Sequence, residues 1–314
     1  MFVDARRVLL EGLIDYAGLF PPASLSMADA VAEYRSIRES PDSWIAARFI
    51  VPASRLVELA SVLAPTMRRG EPTWPIAVIL DGDLGSAVAS TQVMSAEMGS
   101  AVQFVFAEVP LPVDIDGPDS VSKLYGFVDA VCAISPTIVP FFEIPRTPEW
   151  RTRLGAVLPM IAAASAERHR LLGAKLRTGG TTSEAFPSSA EVADFVIGCA
   201  ASGVPFKATA GLHHPYHHTW HELGVQRHGF INLLVAVALA DVGASRNTII
   251  AALEVTADSG FPVGMTGISV GDVLLDVPSL QRIRTTRFPS YGSCSFDEPT
   301  DELRALGLLP KGPT

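Results

Sequence analysis

Runs rich in Val, Ile and Phe recur seven times along the chain, near Leu13–Ala17, Ala47–Val51, Ile76–Asp81, Gln103–Val109, Ile138–Ile144, Gly173–Arg177 and Pro205–Thr209. Their starts lie about 27 to 35 residues apart, the length of one strand plus one returning helix. Between them the apolar residues change to helical spacing. Val121, Leu124, Tyr125, Val128, Val131 and Cys132 share one helix face, and Val192, Phe195, Val196 and Cys199 repeat the pattern. Ser188-x-x-Glu191 reads as a capping box, and Ser26-x-x-Asp29 opens another helix. Strands that alternate with helices build a parallel sheet. Seven such units in 314 residues predict a closed (β/α)₈ barrel, a TIM barrel of the α/β class. A doubly wound parallel sheet is the alternative.

The eighth strand carries the weakest signal. Helices are expected near Phe230–Val242 and Arg246–Val255, and Gly264–Gly271 is then taken as strand eight. On this reading residues 1–314 form one barrel domain, and 272–314 is a C-terminal extension packed on it.

Composition narrows the function. Only 18% of residues are charged against 48% hydrophobic. That excludes intrinsic disorder as the main state and is compatible with a homo-oligomer that hides part of its surface. A net charge of −9 disfavours nucleic acid as a partner. The nearly unbroken apolar run from Phe230 to Ala240 is too short for a bilayer. Glu11 and Asp15 interrupt any apolar leader after Arg6 and Arg7. Three widely spaced cysteines fit a reducing compartment, so a cytoplasmic location is expected. Cys132 and Cys199 read as core thiols, and Cys294 as the more exposed one.

In a barrel the chemistry sits at the C-terminal ends of the strands. Those ends are unusually polar here: Asp15, Asp81, Glu108, Glu143, Lys175 with Arg177, and Lys207 with Thr209. The chain holds four lysines (Lys123, Lys175, Lys207, Lys311) and twenty arginines, yet two of the lysines end successive strands. An amine can shed its proton where a guanidinium cannot. Two ammonium groups side by side in a partly dry mouth repel, so one of them is expected to titrate low. A neutral amine can form a Schiff base or act as a base. Two plainer readings are ion pairing with strand-end carboxylates and fixed charges that bind an anion.

Lys175-Leu-Arg-Thr-Gly179, followed by Lys207-Ala-Thr-Ala-Gly-Leu212, resembles the two lysine motifs of the deoxyribose-phosphate aldolase family. The resemblance spans residues 173–212 and does not extend over the whole chain. It implies a (β/α)₈ barrel in which Lys175 is the Schiff-base lysine and Lys207 lowers its pKa. Glu108 is the closest counterpart of the family's proton-transfer acid. Arg177 stands where the family has a small hydroxyl residue, and Ala210-Gly211 replaces the phosphate-holding Gly-Gly. Arg177 suits a substrate carboxylate or phosphate, and Gly179-Gly180 offers backbone N–H groups.

Six of seven histidines fall between 213 and 228, directly after strand seven. With Pro215 opening a short helix, His217 and His221 would share a face at i, i+4. One reading is a divalent transition metal such as Zn on His213, His217 and His221, completed by Glu108, Glu143 or Asp15. A second uses His213 or His214 as a neutral donor or acid beside the lysine. A third is a polar lid. The loop from Asp15 to Pro22 is a further candidate lid.

The expected function is an aldolase or other lyase that acts on a small anionic carbonyl compound through a Lys175 imine, with no cofactor. Lys207, Glu108 and Glu143 complete the catalytic set. Arg177, Asp15, Thr209, Gly179, Gly180, His213 and His214 bind substrate. The alternatives are a metal-dependent lyase, hydrolase or isomerase built on the His213–His221 segment, and a non-catalytic binder of a small anion.

Overall fold

The computed structural model describes residues 4–310. Eight parallel strands close into a barrel. They are β1 (Ile14–Tyr16), β2 (Ala46–Pro52), β3 (Trp74–Ile79), β4 (Val102–Pro110), β5 (Val139–Glu143), β6 (Gly173–Arg177), β7 (Phe206–Thr209) and β12 (Tyr291–Ser293). Outside the barrel lie two antiparallel hairpins. One pairs β8 (His218–Trp220) with β9 (Val225–Arg227), the other β10 (Gly267–Val270) with β11 (Val273–Asp276). The helices are α1 (Ala5–Leu10), α2 (Met27–Glu39), α3 (Leu56–Thr66), α4 (Leu84–Met98), α5 (Ser120–Ile134), α6 (Trp150–Glu167), α7 (Ser189–Ser202), α8 (Phe230–Asp241), α9 (Arg246–Leu253), α10 (Val277–Thr286) and α11 (Asp297–Ala305). None of the described helices is long and apolar enough to cross a membrane.

The seven periodic segments form strands within one or two residues of their expected limits. Alternation along each strand separates two environments. On β1, Ile14 and Tyr16 pack outward into the layer shared with the helices, where the rings of Tyr16, Tyr34, Phe49 and Trp74 meet at centroid distances of 5.1–6.0 Å. Ala17, Ile50, Ala77, Phe106 and Phe141 form a separate apolar cluster inside the barrel. Gly173 leaves room for Phe141 there, because an added Cβ would lie 2.4 Å from its ring.

The eighth strand differs from expectation. Gly267–Val270, inside the expected segment, pairs antiparallel with Val273–Asp276 as a hairpin off the barrel. Closure is made instead by Tyr291–Ser293, which pairs with β1 on one side and β7 on the other. Residues 272–310 therefore supply a barrel strand and are not an extension on a finished barrel, and the rest of the expected 272–314 extension lies outside the described residues. Buried Arg284 secures the segment. Its guanidinium donates to the carbonyls of Phe288 and Pro289, both at 2.6 Å, and of Glu11 at 2.7 Å. It thereby ties the approach to β12 to the turn before β1.

Candidate active site

The interior positions nearest the C-terminal strand ends carry charge. Register places Glu143, Lys175 and Lys207 side by side on β5, β6 and β7. Glu108 projects into the same layer from β4, and Asp15 from β1. Lys175 Nζ lies 2.6 Å from Glu108 Oε2 and 2.7 Å from Glu143 Oε2. Lys207 Nζ lies 2.5 Å from Glu108 Oε1 and 2.6 Å from Asp15 Oδ2. Arg177 Nε donates to Glu143 Oε1 at 2.9 Å, and Arg48 to Asp15 Oδ1 at 2.9 Å. Ser290 Oγ donates to Asp15 Oδ2 at 2.7 Å. The result is one alternating chain: Arg177, Glu143, Lys175, Glu108, Lys207, Asp15, Arg48. Four cations face three carboxylates, so the layer carries one positive charge in excess.

This arrangement reverses the expected electrostatics of Lys175. Burial pushes its amine down, but Glu108 and then Glu143 outweigh burial and hold it above its ordinary value. A carboxylate, Glu108, sits between the two lysines, one oxygen to each amine. The same logic holds the acids low. Burial raises Glu108, yet Lys175 and Lys207 bring it down to about 2. Asp15 is lowered by Lys207 and Arg48 against its burial. Glu143 is lowered by Lys175 and Arg177 against its own. At neutral pH the layer is a string of ions.

The two lysines are not equivalent. Lys207 is 0% exposed and donates hydrogen bonds to both of its carboxylates. Lys175 is 2% exposed and lines a cavity of about 540 Å³ at the barrel mouth. Its ammonium is held between Glu108 Oε2 and Glu143 Oε2. Lys175 is thus the amine that a ligand can meet.

Above it the cavity wall is largely apolar: Phe20, Pro21, Pro22, Ile50, Ile79 and Phe186. The β8–β9 hairpin contributes Trp220 and Arg227, with the Arg227 guanidinium 3.6 Å above the Trp220 ring and Trp220 edge-on to Phe186. Arg177, with 52% of its side chain exposed, stands at the rim.

Thr209, Gly180 and His213 line this cavity. Asp15 does not line it, because it is spent on Lys207, Arg48 and Ser290 below. Gly179 serves packing, since an added Cβ would lie 2.8 Å from Phe186 and 3.0 Å from the Gly211 Cα. His214 pairs with Glu302 of α11 and packs edge-on against His218, away from the cavity.

The helix expected after Pro215 does not form. The segment runs as an irregular loop into the β8–β9 hairpin, so His217 and His221 share no helix face. The His217 N–H donates to buried Asn232 at 2.9 Å, while His221 sits exposed in the hairpin turn. Among the described residues no three His, Cys, Asp or Glu side chains converge as a metal-holding group.

Reading strand ends alone missed Arg48 and Ser290. Arg48 leaves a trace, a charged residue two positions before Ile50 on an apolar strand. Ser290 and Cys294 leave none until β12 is recognised. Cys294, given a better chance of exposure than the other two thiols, is buried at the cavity wall, and Cys199 is buried as expected. Cys132 is half-buried, with Arg170 donating to its sulfur at 2.8 Å.

Among solved structures the chain is similar to QR15, an aldolase, at 12% identity and a TM-score of 0.43, over 66% of this chain and 83% of that one. It is also similar to the apo form of a candidate deoxyribose-phosphate aldolase from Toxoplasma gondii ME49, at 14% identity and a TM-score of 0.36, over 96% of each chain. No family model and no curated protein matches.

Proposed function

We propose that this barrel is a carbon–carbon lyase of the aldolase type, working on a small anionic carbonyl compound through an imine at Lys175. One observation carries the reading. Of two buried lysines in one ion chain, only Lys175 opens onto the mouth cavity, with a carboxylate on either side.

The raised pKa of Lys175 sets the mechanistic problem, because the amine must lose a proton before it can attack. Arg177 supplies the coupling. It is the exposed end of the chain and holds Glu143. A substrate carboxylate or phosphate that takes the Arg177 fork removes a cation from Glu143, which then becomes more basic. Glu143, with part of its side chain open to solvent, accepts the Lys175 proton. The neutral amine adds to the carbonyl carbon, and Glu143 returns the proton to the departing water. The iminium replaces the ammonium opposite Glu108. Glu143 then takes the proton of the β-hydroxyl, the Cα–Cβ bond breaks, and the electron pair moves into the iminium to give an enamine. Protonation at carbon and hydrolysis release the second fragment. Glu108 and Lys207 hold the charge pattern below.

The test is borohydride trapping with pyruvate and with acetaldehyde, followed by peptide mass mapping. A reduced adduct is expected on Lys175, absent in Lys175→Met. No adduct, or one spread equally to Lys123, would overturn the imine. The ion-paired resting state favours a second reading, an anion binder. That reading predicts ligand-dependent thermal stabilisation with no trapped adduct and no turnover.

A further inference from the structure

At the edge of the mouth cavity, three side chains from separate elements line up. Cys294 follows β12, His213 follows β7, and Glu298 sits in the first turn of α11. Cys294 Sγ is 3.7 Å from His213 Nε2, and His213 Nδ1 is 2.6 Å from Glu298 Oε2. A carboxylate only accepts, so Nδ1 carries the proton and the Nε2 lone pair faces the thiol. Cys294 and His213 both line the cavity. Burial holds His213 below its ordinary value despite Glu298, and burial holds the Cys294 thiol above its own. A neutral thiol therefore meets a neutral imidazole whose far nitrogen is fixed by a carboxylate. That is the relation of nucleophile, base and orienting group seen in acyl-transfer enzymes.

We propose that Cys294 is a second nucleophile of this cavity, activated by His213 and oriented through Glu298, which adds to the carbonyl carbon of a small aldehyde. Sγ forms a bond to that carbon as the C=O π pair moves to oxygen. The thiol proton passes to His213 Nε2 and then to the oxygen. The product is a hemithioacetal, reached without oxidant or reductant and reversible by the same path. β6 and β12 are separated only by β7, and both nucleophiles line the same cavity. An aldehyde fragment released at Lys175 would stay within reach of the thiol. The choice of an aldehyde rests on the proposed lyase reading, whereas the assignment of the nucleophile does not.

The test follows alkylation of Cys294 by iodoacetamide at pH 7, read by peptide mass with buried Cys199 as internal control. His213→Gln is expected to slow Cys294 alkylation about tenfold or more. Glu298→Gln is expected to slow it by a smaller factor. Its exposed side chain makes this variant safe for the fold. The sign is diagnostic, because the Glu298 charge on its own raises the thiol pKa. A merely electrostatic neighbour would speed alkylation when removed, and unchanged or faster alkylation in Glu298→Gln overturns the assignment. Acetaldehyde should then protect Cys294 in the wild type and equally in Lys175→Met, or in Lys175→Arg, which keeps the charge. Protection absent in all of them, or lost with Lys175, overturns the hemithioacetal. The borohydride adduct on Lys175 succeeds or fails independently of either result.

Discussion

At the residue scale the decisive group is Glu108. It is fully buried between two amines and ionises at about 2 instead of its ordinary 4.5. A carboxyl held low in the folded state contributes stability that is complete above the ordinary value. That contribution is lost as pH falls from 4.5 toward about 2. Asp15 and Glu143 shift in the same direction and steepen the loss. Thermal unfolding should therefore show Tm falling sharply through this acid window. Glu108→Gln should flatten the window and cost about 3–5 kcal/mol at neutral pH, since two buried ammonium groups lose their shared counterion. A Glu108→Gln curve parallel to the wild type would mean that the carboxylate is not ionised between the lysines. Lys175 gives a second check. In ¹³C-methylated protein its resonance should titrate above the ordinary 10.5, and Glu143→Gln should bring it down. A Lys175 that titrates below its ordinary value in the free wild-type protein would contradict the ion pairs.

At the scale of elements, α7 shows how local signals and tertiary demands agree. Ser188 Oγ accepts from the Glu191 N–H at 3.3 Å, and the Glu191 carboxylate accepts from the Ser188 N–H at 2.8 Å. Both ends of this capping box were legible three residues apart, because a cap needs no partner elsewhere in the chain. Ser188→Ala should cost about 1 kcal/mol in urea unfolding. It should leave Lys175 trapping intact, since the cap lies at the foot of the βα loop and outside the cavity. A cost near zero would mean that Glu191 alone satisfies the helix start. In α5 the pattern was only partly right. Leu124, Val128 and Val131 are buried, but Val121 is exposed, because the helix packs on a narrower stripe than its apolar residues mark.

At the scale of the whole molecule, closure depends on a three-residue strand reached only after two hairpins and three helices. Arg284 holds its approach through three carbonyls. Arg284→Ala strands those acceptors in a dry interior, and a loss of about 2–4 kcal/mol in unfolding free energy is expected. Arg284→Lys, with one compact head group, should recover only part of it. If both variants unfold like the wild type, β12 is fixed by other contacts. The first seven strands, most of their helices and the alternation that turns Asp15, Glu108, Glu143, Lys175 and Lys207 inward were all present in the chain as periodicity. A parallel strand must be apolar outside, so a charge spaced by two within it has nowhere to go but the barrel interior. The closing strand was not legible. Tyr-Gly-Ser carries no apolar run and is a strand only because β1 and β7 offer it two unpaired edges. Nor could the sequence settle the charge state of Lys175, which depends on whether an amine or a carboxylate stands nearest in space. Strand spacing brought the two lysines together on adjacent strands. Only the closed barrel could insert Glu108 between them from the far side, set Cys294 against His213, and leave one amine facing the cavity and the other sealed beneath it.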